Sequence, residues 1–187
     1  MGRVRGRHLA ALLGLTADRA DLVELTGGPT APVAGVVDWY GPANLPTLQD
    51  QARPDAVARS DAPDSRESLL IGAPLPEAPE LARRASPMTY VHAGAPPFHL
   101  AHGADDRFVP VGQSRELAAA LRDAGVPVEL TIVDGADHMW RDATDPDAIL
   151  AVAVDFSRRL LTPWATTDPS PATTDPCVRS GPNGTTR

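Results

Sequence analysis

The spacing of apolar positions changes from stretch to stretch, and each spacing predicts an element. His8-Leu-Ala-Ala-Leu-Leu-Gly-Leu15 is rich in Ala and Leu, a composition that favours helix. Polar residues follow as far as Pro32. Val33-Ala-Gly-Val-Val-Asp38 is a short β-branched run closed by a Gly41-Pro42 turn, and it predicts a buried strand. Over 43–63 the chain is polar and broken by prolines, which predicts loop with short helical pieces. Two short helices are expected over 65–71 and 79–84, separated by Pro74 and Pro76.

Pro97-Phe-His-Leu-Ala101 predicts a second strand that runs straight into a turn at His102-Gly103. Over 111–124, Leu117, Ala120, Leu121 and Ala124 stand at i, i+3, i+4 and i+7, the stripe of an amphipathic helix. Gly125 follows where a C-terminal cap belongs. Val128-Glu-Leu-Thr-Ile-Val133 predicts a third strand, and Asp145-Pro146 opens a last helix to Leu161 with Pro just inside its start. Strands alternating with helices predict an α/β fold with parallel pairing. From Pro163 periodicity is lost, Thr-Thr-Asp-Pro occurs at 166–169 and again at 173–176, and a disordered tail over 163–187 is expected.

Composition narrows the function classes. The formal charge is −7 and all 17 basic residues are Arg, with no Arg block beyond the first seven residues. That balance argues against nucleic acid or an anionic membrane as partner. No apolar run reaches the roughly 18 residues of a membrane span. Met1-Gly-Arg-Val-Arg-Gly-Arg7 does not read as a secretory signal, so a cytoplasmic chain is expected and Asn183-Gly-Thr185 carries no weight as a glycosylation acceptor. Cys177 is the single cysteine, which excludes an internal disulfide and a Cys-rich zinc site. His99 and His102 are expected in a strand and in the following turn, so no metal pair is assigned to them.

The stretch richest in chemistry is His102-Gly-Ala-Asp-Asp-Arg-Phe-Val-Pro110, followed by Gln113-Ser114 and the amphipathic helix. A second loop, Asp134-Gly-Ala-Asp-His-Met-Trp140, follows the next strand. Both loops leave the same edge of a parallel sheet, where ligands bind in open α/β folds. An Asp and a His meeting there suit acid–base work, the carboxylate holding the imidazole by Nδ1–H and leaving Nε2 to take a proton. Taken singly, either loop is an ordinary solvated turn; their order and the helix between them give the pattern its meaning.

Several motifs stand in a fixed order. They are Val36-Val-Asp-Trp-Tyr-Gly-Pro42, Ala85-Ser-Pro87, Ala95-Pro-Pro-Phe98, His102-Gly-x-x-Asp106-x-x-Val109-Pro110, Gln113-Ser114 and Gly135-x-x-His138. With them the sequence resembles the second half of an α/β-hydrolase of the bacterial esterase and hormone-sensitive-lipase-like kind, over residues 8 to 161. The resemblance implies a partial α/β-hydrolase fold, about three parallel strands flanked by helices, with the N-terminal half of the sheet missing. It implies a domain over 8–162 and hydrolysis of a small carboxylic ester through a Ser-Asp-His triad, without cofactor or metal. It puts Asp106 on the triad acid position and His138 on the base, in the family's order of acid before His. Asp105, Asp134 and Asp137 do not fall on the acid position, and Asp38, Ser86 and Ser114 fall on positions that read as structural.

The same alignment departs from the family at the nucleophile. Anchored on His8-Leu9-Ala10, the G-x-S-x-G elbow falls on Gly2-Arg3-Val4-Arg5-Gly6, so Val4 occupies the nucleophile position. The preceding strand and the HGGG-type loop have no counterpart, and acyl transfer needs both a nucleophile and an oxyanion pocket. Residues 1–7 are read as an out-of-frame copy of the elbow. GC-rich codons for Trp-Gly-Glu-Ser-Ala-Gly-Gly-His, preceded by one G and with one G lost from the last glycine codon, translate as Met-Gly-Arg-Val-Arg-Gly-Arg-His when the leading GTG is read as a start codon. The chain as written is therefore expected to be inactive. Ser86 and Ser114 stand in no elbow and are not taken as replacement nucleophiles. The rival expectation is a non-catalytic binding or regulatory chain, or a half-enzyme needing a complementing partner, with self-association through the exposed sheet edge.

Overall fold

The computed structural model describes residues 5–17, 19 and 32–161. Val4, Cys177 and the expected tail over 163–187 lie outside the described residues. The elements in chain order are α1 (Arg5–Thr16), β1 (Val36–Trp39), α2 (Arg66–Ile71), α3 (Pro79–Arg84), β2 (Phe98–Gly103), α4 (Gly112–Asp123), β3 (Val128–Val133) and α5 (Pro146–Leu161). Short 3-10 turns at Leu45–Thr47, Leu75–Glu77, Pro87–Tyr90 and His138–Trp140 fill the connections.

The strands form one parallel sheet in the order β1-β2-β3. Register pairs Val36 with Phe98 and Phe98 with Val128, so the strand starts are level. Central β2 is buried along its whole length, as a parallel strand covered on both faces should be. Its side chains alternate between two layers. Phe98 and Leu100 pack with Ala11 and Leu15 of α1 and with Leu117, Ala118 and Leu121 of α4. Phe98 is fully buried, worth roughly 1.5–3 kcal/mol relative to exposure. On the opposite face His99 stacks on Phe156 of α5 at 5.6 Å. Helices thus cover both sides of the sheet, the partial α/β-hydrolase fold.

Local chemistry explains the element ends. Ser65 caps α2 by accepting from Ser68 N, and Asp145 accepts from Ala148 N at the start of α5. Helix α4 closes in a Schellman turn, in which Gly125 takes φ +77°, Val126 N bonds Leu121 O and Gly125 N bonds Arg122 O. At its other end, buried Gln113 accepts from the Ala43 and Asn44 N–H groups and fastens α4 to the loop after β1.

Two strand boundaries differ from the sequence expectation. β1 begins at Val36, three residues after Val33, where Val36 N donates to Pro97 O and Pro97 has no N–H to give the ladder in return. β2 continues through His102 and Gly103, which pair with Ile132 and Val133. A central strand gains ladder bonds from its neighbours that an isolated sequence window does not contain. His102 is therefore in the strand and not in the turn. It faces α4 while His99 faces α5, and the two imidazoles sit on opposite faces of the sheet. Among the described residues no cluster of three or more His, Cys, Asp and Glu could hold a metal ion, and no helix is long and apolar enough to cross a membrane.

Candidate active site

The loops that follow β2 and β3 are stitched together by their backbones. Ala104 N donates to Val133 O, and Asp105 N donates to Ala136 O. Where the loops cross, Gly103 leaves no room for a side chain, since a Cβ there would stand 2.2 Å from Ala136 O. This contact delivers Asp106 and His138 to one place. His138 Nδ1 lies 2.8 Å from Asp106 Oδ2, with both residues at 5% exposure or less. The other carboxylate oxygen, Oδ1, accepts from the Phe108 and Val109 N–H groups, each at 2.8 Å.

Burial pushes the Asp106 carboxyl up. The hydrogen bonds from His102 and His138, the nearby His138 charge and the Val109 N–H outweigh it and hold the group far below the usual carboxylate range. Asp106 is thus an anion that accepts from every side. With Nδ1–H given to Asp106, the His138 lone pair is at Nε2. Among the described residues that atom is buried with no hydrogen-bond partner. Tyr40 packs on the ring at 4.7 Å between centroids and Phe108 at 5.2 Å, so the imidazole is held by aromatic walls as well as by the carboxylate.

The neighbouring carboxylates have other partners. Asp105 is half-exposed and paired with Arg53 at 2.9 Å, and Asp134 is exposed. Asp137 is buried and braces both loops. Its Oδ1 accepts from the N–H groups of Arg107 and His138, and its Oδ2 accepts from the Arg107 guanidinium. Burial raises this carboxyl, and the Arg107 and His138 N–H groups with the Arg107 cation reverse the shift, leaving it below the usual range. Sequence reasoning placed Asp137 off the acid position and gave neither it nor Arg107 a role; nothing in the local pattern marks a contact between residues 30 apart.

The serines set aside as nucleophiles are tied up elsewhere. Ser86 Oγ accepts from Leu45 N and donates to Ala82 O, and Ser114 Oγ meets His102 Nδ1 at 2.7 Å. Asp38 is buried in β1 with its carboxylate against the Gly41 backbone. No serine of the 187 residues stands in Gly-x-Ser-x-Gly.

The BD-FAE family model matches residues 1–121, more than half of the chain. The chain belongs to the BD-FAE family, an α/β-hydrolase-like group. This BD-FAE chain is 36% identical over 130 residues to Esterase LipQ of Mycobacterium tuberculosis, covering 66% of itself and 28% of that protein. It is 36% identical over 118 residues to Esterase LipC of the same organism, covering 63% of itself and 28% of LipC. It therefore spans little more than a quarter of the length of these curated relatives. Among solved structures it resembles a truncated form of a carbohydrate esterase from gut microbiota, with TM-score 0.71 and 27% identity over 84% of this chain and 57% of that one. Likeness to the Thermogutta terrifontis esterase Est2, with TM-score 0.51 and 22% identity, supports the fold alone.

Proposed function

We propose that residues 8–162 form the acid–base half of a serine-dependent hydrolase of small carboxylic esters. In this reading His138 is the general base and acid, and Asp106 is the carboxylate that orients it. The observation that carries the reading is the buried Asp106–His138 bond of 2.8 Å, which leaves Nε2 as the unengaged proton acceptor. With a serine beside it, His138 Nε2 takes the hydroxyl proton as oxygen attacks the ester carbonyl. It then returns that proton to the leaving alcohol. Asp106 stays ionised throughout and stabilises the imidazolium.

The nucleophile position belongs to Val4, whose side chain has no group that attacks a carbonyl. The 187 residues alone are accordingly silent in ester hydrolysis, and activity returns when residues 1–7 are replaced by an elbow with Ser and fused to a hydrolase N-terminal half. A fluorophosphonate probe and a short-chain p-nitrophenyl ester assay measure both forms. The repaired protein should react, and His138→Ala should abolish its activity. Activity retained by that variant removes the assignment.

A second reading rests on β1, which is an edge of the described sheet. An edge strand offers ladder groups to another strand, and self-association or a complementing partner chain follows from it. Light scattering of the purified chain distinguishes the cases, because a monodisperse monomer at all concentrations contradicts pairing through β1.

A further inference from the structure

His102 lies outside the Asp106–His138 bond and is completely buried. The donors and acceptors around its ring fix where its proton sits. Nε2 faces acceptors only, the Val109 carbonyl oxygen at 2.9 Å and Asp106 Oδ2 at 3.3 Å, so it carries the hydrogen. Nδ1 faces Ser114 Oγ at 2.7 Å, and the serine is itself 3% exposed. The serine hydroxyl is able to donate to Nδ1, and that direction of the bond goes with the Nε2–H tautomer.

We propose that His102 is a positioning residue for the acid. Ser114 holds it as the Nε2–H tautomer, and that N–H, bonded to Val109 O and 3.3 Å from Asp106 Oδ2, opposes movement of the oxygen on which His138 hangs. Without it the carboxylate is held from its own loop through Oδ1 alone, by Phe108 N and Val109 N. Rotation about Cβ–Cγ then carries Oδ2 away from His138. His102 opposes that rotation from β2, and Ser114 opposes it from α4, so the acid is referred to two rigid elements. Val109 takes part twice, giving its N–H to Oδ1 and its carbonyl oxygen to His102.

The inference rests on the reading of Asp106 and His138 as acid and base, but its test needs no catalysis. The 187-residue chain has five histidines, few enough to assign ring-15N resonances by single substitutions. Nitrogen shifts near neutral pH should show His102 as the Nε2–H tautomer, and His138 Nδ1–H should give a downfield, exchange-protected proton. In Ser114→Ala and His102→Ala that proton should move upfield and exchange several-fold faster. His102→Gln places an amide N–H near the lost Nε2–H and should keep the signal. Circular dichroism on the same samples identifies any variant that does not fold, and Ser114→Ala, the smallest cut, carries the test if His102→Ala fails. A His102 in the Nδ1–H form overturns the proposal. So does a His138 proton unmoved by the alanine variants, or one lost equally in His102→Gln. Failure of ester hydrolysis in the repaired protein would end the functional reading and leave this result standing.

Discussion

The Arg107 guanidinium grips Asp137 Oδ2 through Nε at 2.8 Å and Nη2 at 2.6 Å, clamping the loop that bears Asp106 to the loop that bears His138. The residues are adjacent in sequence to Asp106 and His138, so the clamp sets the distance across which those two meet. Asp137 also takes two backbone N–H groups on Oδ1, at 2.9 and 2.7 Å. Asp137→Ala strands both donors in a buried turn, and an unsatisfied buried donor costs about 1–3 kcal/mol. Urea denaturation should register that loss, and Asp137→Asn, which keeps an acceptor for the backbone, should lose less. An alanine variant as stable as the parent would show that the clamp is idle.

Asp106 is the anion on which the site is built. Asp106→Ala leaves His138 Nδ1–H and two backbone N–H groups without their acceptor. Removing one partner from a buried pair costs about 3 kcal/mol or more. In the repaired enzyme Asp106→Asn should fold more readily, yet lower kcat by several orders of magnitude because the imidazole is no longer held by a carboxylate. Steady-state kinetics on the repaired protein measure it, and a kcat within a few-fold of the parent would contradict the role.

Acid should destabilise the fold in two stages. Burial pushes His8 and His99 below the ordinary histidine value of 6.5, Glu129 opposing it at His99. Asp106 and Asp137 lie below the ordinary 3.8. For each of these groups the unfolded chain binds its proton more readily than the folded one. The stability they contribute is complete above the unfolded value and is lost as pH falls. The urea midpoint should be level above about 6.5, decline below it as the histidines charge, and drop again below about 3.8. A midpoint flat from pH 7 to 5 would refute the histidine stage.

Gly103→Ala tests the crossing of the loops. The new Cβ would meet Ala136 O at 2.2 Å, and a backbone carbonyl yields less than a side chain. Overpacking of this kind costs about 1–3 kcal/mol. The strain should appear in the His138 ring resonances as well as in the urea midpoint, because Ala136 immediately precedes the clamp. Unchanged resonances would place the relaxation elsewhere.

The elements with a strong local pattern were legible in the sequence. The stripe of Leu117, Leu121 and Ala124, closed by Gly125, foretold α4, and the β-branched run at 128–133 foretold β3. The loops that carry Asp106 and His138 were legible through the strands before them, whereas the choice of these two residues came from the resemblance to α/β-hydrolases. The extension of β2 to Gly103 was not, since it depends on Ile132 and Val133 lying alongside. The clamp was also hidden. Asp-Asp-Arg reads as a solvated turn until another loop brings Asp137 against it, and that encounter is decided by the packing of Gly103 on Ala136. His102 changed most, from the first residue of a turn to a buried strand residue bonded on both ring nitrogens.

The shared register of β2 and β3 has one more consequence. Asp106, Arg107, Asp137, His138, His102 and Ser114 all come from a single strand–helix–strand passage and its two exit loops, residues 98–140. The Asp106–His138 couple is thus a cassette assembled by near neighbours in the chain, closed from outside that passage by the Tyr40 ring.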